Sequence, residues 1–396
     1  MSATLDVPHR SPLDRAAQES VLRPTAEARG LPNEAYTDAA FLARERDTLF
    51  ARTWTCVGFV SDLEPGGYAR PVDLVGLPLL ITRDARDAVR VFHNVCSHRG
   101  HKLVSEPCPA GGMMSCPYHA WSYALDGRLE ATPHIGGPGV HELEGFDRAR
   151  HGLKPVRSEV WLGMVFVNLS GDAPPFDQHI QPLAERWEAF YGAFGPYDLR
   201  PAATGGALRI EILANWKLAV ENYCESYHLP QIHPALNRYS RLEDHYHIMI
   251  GDDFAGQGTT VYDLAGDAGI SLPRFEDWPE DRLQHAEYVS VYPNVLLGLQ
   301  ADHLFALILH PIAPDRTVED LRIFYVGDEA IGTEYADARK ATQESWRVVF
   351  AEDVGVVEGM QQGRCSPGFD GGVFSPVMDT PTHHFHRWAA NSLAAG

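Results

Sequence analysis

Cysteine is scarce, with six residues in a chain of 396, at positions 56, 96, 108, 116, 224 and 365. So few, so scattered, exclude a disulfide-built scaffold and point to a reducing cytoplasm. Basic residues are also in short supply: 33 Lys and Arg stand against 53 Asp and Glu, for a formal charge of −20. That balance argues against nucleic acid or an anionic membrane surface as partner, since both repel it. Long apolar runs are missing. Nothing approaches the ~20 apolar residues of a membrane span, and the opening MSATLDVPHRSPLDRAAQES lacks the apolar core of an export signal. No G-x-G-x-x-G follows a strand pattern, so no dinucleotide-binding module is expected within the chain.

What is present reads as two kinds of texture. After a polar lead, a helix is expected from Asp38 to Phe50, with Phe41, Leu42, Leu49 and Phe50 apolar. From Trp54 to Asn168, short β-rich runs such as TWTCVGFV, AVRVFHNV and WLGMVFVNL alternate with the turn signals EPGG, RDARD and LDGR. This is the pattern of a small all-β domain. A helical stretch, FDQHIQPLAERWEAFYGAF, follows. Beyond it, strands (ALRIEILAN, HLFALILHPIA, LRIFYVG) mix with helices near 215–230 and 333–362, which makes an α+β domain. Residues 240–285 read as irregular, either a lid over a site or a surface insertion. Expected boundaries are 1–50 for a helical segment packing on the catalytic domain, 51–169 for the β domain and 170–396 for the catalytic domain.

Four residues of the β region fall in metal-ligand spacing. Cys96-x-His98 is followed, seventeen residues on, by Cys116-x-x-His119. Zinc accepts two thiolates and two imidazoles tetrahedrally. Zinc fingers, however, put the Cys pair together and the His pair together, whereas each loop here gives one of each. That division suits an asymmetric two-iron cluster of the Rieske [2Fe-2S] type, with Cys96 and Cys116 on one iron and His98 and His119 on the other. Gly100 and Pro117 fit the tight turns such loops need.

A cluster of this kind only carries electrons, and NWKLAVENYCESYHLPQIHPALN, from Asn215, supplies a destination. His228 and His233 are five residues apart, about 140° round an ideal helix, so a straight helix could not aim both at one ion. Pro230 between them is expected to break the helix and swing His233 round. Two histidines and one carboxylate make the facial triad of non-haem Fe(II) oxygenases, which leaves positions open for O2 and substrate. The carboxylate is expected from the helix TQESWRVVFAEDVGVVEGMQQG, where Trp346, Val349, Phe350, Val354 and Val357 form an inward stripe. Asp353 adjoins that stripe and is preferred as ligand, with Glu352 the second choice. Glu358 reads as a supporting or solvated residue. Glu225 is placed to orient a ligand histidine through an N–H···carboxylate bond. HHFHRW near the C-terminus reads as an exposed segment and not as a third metal site.

Together these motifs resemble the α subunit of Rieske non-haem iron oxygenases, the ring-hydroxylating dioxygenase family. C-x-H-R-G and C-P-Y-H match its cluster loops. N-W-K…E-N-x-x-E-x-Y-H-x4-H matches its mononuclear iron segment, and E-D-x4-E-x-x-Q from Glu352 its third-ligand helix. The likeness runs from about residue 36 to 388. It implies a helix-grip (START-like) catalytic domain, a homotrimer, and NAD(P)H oxidised by a separate reductase, with or without a ferredoxin. It also implies electron transfer between subunits, with Glu225 linking His119 of the partner subunit to His228, and it draws Asn222 into the catalytic segment. The spacing E-N-Y-C-E departs from the arene dioxygenases and is similar to the glycine betaine, carnitine and choline monooxygenases. The resemblance thus implies oxidation of a quaternary ammonium substrate, held by aromatic faces; Tyr223, Tyr262, Trp278, Tyr288, Tyr292 and Phe324 are candidates. Hydroxylation of an aromatic or other ring is the alternative, and an iron-sulfur electron carrier without oxygenase activity is the alternative of another class.

Overall fold

The computed structural model of the chain describes residues 13–262 and 271–394. Phe50–Phe176 forms one compact unit; the residues before it and those from Asp177 onward form the other.

The first unit is all β apart from single 3-10 turns. Its larger sheet runs, edge to edge, Thr55–Phe59, Met164–Asn168, Pro155–Trp161, Val89–His93, Leu77–Arg83, Tyr68–Leu74 and Cys108–Pro109. Neighbours are antiparallel throughout. A second sheet of three short strands, Met113–Ser115, Ser122–Ala124 and Leu129–Ala131, supplies the second cysteine loop at its first turn. The first loop leaves the end of Val89–His93. Leu80, Phe92, Leu103, Met114, Trp121 and Tyr123 pack into a single core that includes the thiols of Cys96 and Cys116.

The second unit carries an antiparallel sheet of eight strands. Its path is Leu199–Pro201, Arg316–Val326, His303–Ala313, Val295–Leu299, Ala286–Val291, Phe254–Thr259 and His245–Ile250, with Ala207–Ile212 also paired to Arg316–Val326. The long helix Ala336–Arg364 packs on strand Ala207–Ile212 and on helix Trp216–Tyr223. This is the α+β architecture expected. The residues before Phe50 are tied in by buried polar bonds. Glu45 takes Lys217 Nζ at 2.6 Å and Trp216 Nε1 at 3.1 Å, and the Tyr36 hydroxyl donates to Glu221 at 2.5 Å.

Three sequence expectations need correction. Residues 240–285 are not irregular throughout, because His245–Ile250 and Phe254–Thr259 pair as a hairpin. The glycines of FAGQGT hid the second strand, since strand interiors disfavour glycine. Gly256 and Gly258 are required by the fold: a Cβ would fall 1.9 Å from the Tyr288 carbonyl oxygen and 2.3 Å from the Tyr246 ring, respectively. Residues 263–270 of that stretch lie outside the described residues. The helix expected over Asp38–Phe50 is α-helical only from Ala39 to Glu45, capped by Asp38, and closes as a π-helical turn at Arg46–Phe50. HHFHRW is not exposed. It lies in helix Thr380–Ala394 with His383 and His386 buried, the first bonded to Thr25 and the Val21 carbonyl, the second accepting from the Leu31 amide.

Candidate metal centres and the cavity beside them

The two loops of the β unit are built alike. The Cys96 amide donates to the His101 carbonyl at 2.8 Å and the Gly100 amide returns to the Cys96 carbonyl at 3.0 Å. In the second loop, Cys116 donates to Trp121 at 2.8 Å and Ala120 returns to Cys116 at 2.9 Å. The residue four past each cysteine is left-handed, Gly100 at φ 71° and Ala120 at φ 55°, a conformation that comes freely to glycine and under strain to alanine. The repeated turn brings one cysteine and one histidine from each loop to the same place. Cys96 and Cys116 are buried, His98 and His119 are exposed, and the two imidazoles meet edge to face with centroids 4.7 Å apart. His98 also stacks on Trp121 at 4.7 Å.

The chemistry of this donor set fits a metal cluster. Burial pushes the Cys116 thiol above its ordinary value, so a pair of thiolates there needs cationic metal beside it. Burial, then His119 and Arg99, hold His98 below its ordinary value, which favours the neutral imidazole that a metal requires. The Tyr123 hydroxyl lies 3.3 Å from Cys96 Sγ and accepts from the Ser97 amide at 3.0 Å. Burial pushes that hydroxyl up to about 12, so it stays protonated beside the sulfur. No disulfide joins any of the six cysteines.

In the second unit, His228, His233 and Asp353 converge, their candidate ligand atoms all within 4.8 Å of one another. The local reason differs from the expected one. Helix Trp216–Tyr223, capped by the Asn215 side chain, ends before Glu225, and His228 caps a new single turn, Leu229–Ile232. Pro230 thus does not stop a helix that carries His228. It sits in the first turn of the next one, where its missing N–H is no loss. That turn brings the rings to 5.2 Å, and His233 Nε2 reaches Asp353 Oδ1 at 3.1 Å, with His228 Nε2 at 3.7 Å. Among the described residues this buried Asp353 oxygen makes no hydrogen bond. A buried carboxylate oxygen facing two imidazole nitrogens without bonding either is what a cation between them accounts for.

The outer nitrogens are held by carboxylates. His228 Nδ1 lies 2.6 Å from Glu225 Oε1, and His233 Nδ1 lies 2.7 Å from Glu352 Oε2. Each pairing fixes the tautomer and leaves Nε2 unprotonated, its lone pair facing the same space as Asp353 and free for a metal. Glu352, the second choice as ligand, therefore stands behind His233, on the side away from Asp353. The second Glu225 oxygen accepts from the Tyr227 and His228 amides. Glu358 accepts from the Leu213 amide at 3.0 Å.

A cavity of about 60 Å³ opens beside these residues, lined by Asn222, Tyr223, Gln257, Tyr288, Trp346 and Phe350 as well as by His228, His233 and Asp353. None of its described lining residues is Lys or Arg. Trp346, Val349, Phe350 and Asp353 follow the i, i+3, i+4, i+7 pattern of one helix face, so the wall and the carboxylate share a stripe. Of the six aromatic candidates, Tyr223 and Tyr288 line this space. Tyr262 stands behind it, stacked on Trp346 at 5.9 Å. Trp278 packs on Phe190 and Phe275, Tyr292 on Phe385 and Trp388, and Phe324 is buried within its strand. Burial raises the Tyr288 hydroxyl, with Gln300 and Tyr262 acting against it. Sequence reasoning did not name Trp346 as a site residue, although its place two turns before Asp353 marked it. It also missed Gln257, in the hidden strand, whose amide donates to the Glu225 carbonyl at 2.9 Å and whose oxygen is buried without a hydrogen-bond partner among the described residues.

Comparison with known proteins agrees with this geometry. Residues 53–144 match the Rieske [2Fe-2S] domain, and residues 199–395 match the catalytic domain of the ring hydroxylating alpha subunit. The chain is 28% identical to the carnitine monooxygenase oxygenase subunit of Escherichia coli K12 over 92% of its own length and 94% of the relative's. It is 25% identical to the glycine betaine monooxygenase oxygenase subunit of Pseudomonas aeruginosa PAO1, covering 96% and 92%. Among solved structures, a quaternary ammonium Rieske monooxygenase superposes with TM-score 0.76 at 24% identity, covering 95% of this chain and 98% of that one. Naphthalene 1,2-dioxygenase from Rhodococcus follows at TM-score 0.72 and 16% identity, covering 97% and 99%. With both domains in one polypeptide, the chain belongs to the Rieske non-haem iron oxygenase α subunits.

Proposed function

We infer that the chain is the terminal oxygenase of a multicomponent system that oxidises a quaternary ammonium compound at an N-methyl group. Cys96, His98, Cys116 and His119 would hold the cluster, and His228, His233 and Asp353 the ferrous ion. When bound, the cluster delivers single electrons and the iron activates O2 for insertion into a C–H bond. Glu225 and Glu352 keep the two imidazoles in the ligating tautomer. Asn222 lines the cavity beside them. The aromatic wall holds the cationic head of the substrate, each ring over a methylated nitrogen being worth ~0.5–2 kcal/mol.

The observation that carries this reading is the cavity itself: an aromatic pocket without Lys or Arg that ends on Asp353. It is a small space of about 60 Å³ beside the triad. The relatives named as carnitine and glycine betaine monooxygenase subunits support the same class.

The reaction needs a separate reductase, directly or through a ferredoxin, and a reducing cytoplasm suits six cysteines that form no disulfide. In a homotrimer, Glu225 would pass electrons from His119 of the partner subunit to His228. The test is a screen of quaternary ammonium compounds and arenes with NADH and a generic reductase. Formaldehyde and a demethylated amine are expected, and hydroxylated arene without formaldehyde overturns the reading. NADH without reductase is expected to give no steady turnover.

A further inference from the structure

The indole in the wall of the metal-side cavity has a base behind it. Trp346 lines the cavity on the same helix face as Asp353, two turns earlier, about 10 Å away along the axis at ~1.5 Å per residue. Its Nε1 donates to His303 Nε2 at 2.9 Å, and His303 Nδ1 lies 2.6 Å from Asp302 Oδ1. Because Nε2 accepts from the indole, the imidazole proton sits on Nδ1 and is donated to Asp302. His303 is buried, at the start of strand His303–Ala313. Carboxylate, imidazole and N–H thus stand in the order that lets an imidazole take a proton while the carboxylate stabilises the charge that forms.

Elsewhere in the chain the indoles meet weaker bases. The N–H groups of Trp54 and Trp278 donate to backbone carbonyls, and those of Trp187, Trp216 and Trp388 to carboxylates. A carbonyl cannot hold a proton and a carboxylate holds one only near pH ~4, whereas an imidazole does so near ~6.5. Tyr223, the phenol on the same cavity, donates to the Leu297 carbonyl at 2.7 Å, and burial raises it, so it keeps its proton. Trp346 is only 3% exposed, which leaves His303 as the place its N–H proton can go. An indole that loses an electron becomes a strong acid at that N–H, and without a base the electron returns. A ring so equipped, facing a site that activates O2, is a one-electron donor to that site.

We propose that Trp346 is a redox-active residue, giving one electron to the oxidised iron site and its N–H proton to His303 when no substrate C–H bond is presented. The indole N–H bond breaks, an Nε2–H bond forms on His303, and Asp302 faces the resulting imidazolium. A neutral indolyl radical remains, and the iron site is one electron more reduced. A small-molecule reductant of the thiol or ascorbate class then returns the electron, and His303 returns the proton. The wall thereby discharges surplus oxidising power through a ring that is restored. This needs the O2-activating iron but not the quaternary ammonium reading, so either can fail without the other.

Freeze-quench EPR of the iron-loaded, substrate-free protein mixed with hydrogen peroxide, its cluster left oxidised, tests this. Native protein is expected to show a neutral indolyl radical whose hyperfine lines narrow when the tryptophans are ring-deuterated. After long exposure without reductant, the tryptic peptide 341–347, ATQESWR, is expected to carry added oxygen on Trp346. Neither measurement needs a substitution, so both stand should a variant fail to load iron. Trp346→Phe is expected to lose the radical at matched iron content. His303→Gln keeps an oxygen to accept from the indole, and with it the anchor of the ring, but cannot hold the proton; the radical yield is expected to fall about tenfold. Asp302→Asn keeps an acceptor for His303 Nδ1 without the charge and is expected to give an intermediate yield. No indole-derived radical in native protein, or one undiminished in Trp346→Phe, overturns the proposal. A full yield in His303→Gln overturns it as well, since His303 then serves only to hold the ring.

Discussion

Asp353 is the residue on which the catalytic unit turns. It stands at the end of the Trp346, Val349, Phe350 stripe, its Oδ1 buried and unbonded between two imidazoles. Asp353→Ala is expected to lose the mononuclear iron while keeping the visible absorption of the cluster, as metal analysis and spectra will show. Glu352 acts one bond further out. Glu352→Gln puts a neutral amide oxygen in place of the carboxylate at His233 Nδ1 and should lower iron affinity about 10–100-fold, measured by chelator competition. Glu358→Gln, at a carboxylate that accepts from the Leu213 amide, should leave that affinity unchanged. The two histidines, the preferred acid and Glu225 behind a ligand histidine were read from the sequence; the place of Glu352 behind His233, and with it that ring's tautomer, follows from where its carboxylate comes to rest.

Among the elements, the join between the N-terminal segment, helix Trp216–Tyr223 and the C-terminal helix depends on buried charge. Glu221 bonds Tyr36, Arg364 at 3.1 Å and His386 at 3.3 Å. Burial pushes its carboxyl up, but His386 and Arg364 outweigh burial and hold it at about 2, below its ordinary 4.5. A carboxyl depressed in the folded state stabilises above its unfolded pKa, and the contribution is lost as pH falls from near 4.5 toward 2. Glu221→Gln leaves the buried Arg364 guanidinium without its counter-charge and should cost about 3–5 kcal/mol at neutral pH. In urea unfolding the gap between the two proteins should close on acidification; a gap independent of pH would refute this account. Strand Val295–Leu299 gives a second element-level prediction. Gly298 lies between Tyr288 and Phe305 on its two neighbouring strands, and a Cβ there would meet the Phe305 ring at 2.2 Å. Phe305 in turn packs on Trp346 at 4.4 Å. Gly298→Ala should therefore raise KM by displacing the cavity wall, with iron content unchanged.

For the whole molecule, the prediction concerns how subunits cooperate. If electrons cross between subunits through Glu225, a cluster-dead chain (Cys116→Ser) and an iron-dead chain (Asp353→Ala) should each be inactive alone and recover activity when co-assembled. Co-assembled trimers with no recovery would place both centres of one turnover in the same chain. The strongly acidic surface implied by the −20 charge should make reductase docking sensitive to salt, with turnover at limiting reductase falling as ionic strength rises if the reductase presents a basic face.

Sequence alone determined the chemistry. Cys96-x-His98 and Cys116-x-x-His119 specify an asymmetric cluster because ligand type and pairing are local properties of two short loops. The apolar stripe of the last long helix made Asp353 the preferred acid and Glu352 the second choice, because helix periodicity fixes which side chains share a face. Tertiary structure alone decided the rest. The hairpin through Phe254–Thr259 was illegible because its glycines are required by the strand and ring packed against them, not by their own preference. The break before Glu225, the seating of Glu352 behind His233, and the setting of His303 behind the Trp346 indole involve residues distant in sequence. Such contacts are set by packing, where neighbours supplied by other strands and helices decide what each side chain meets.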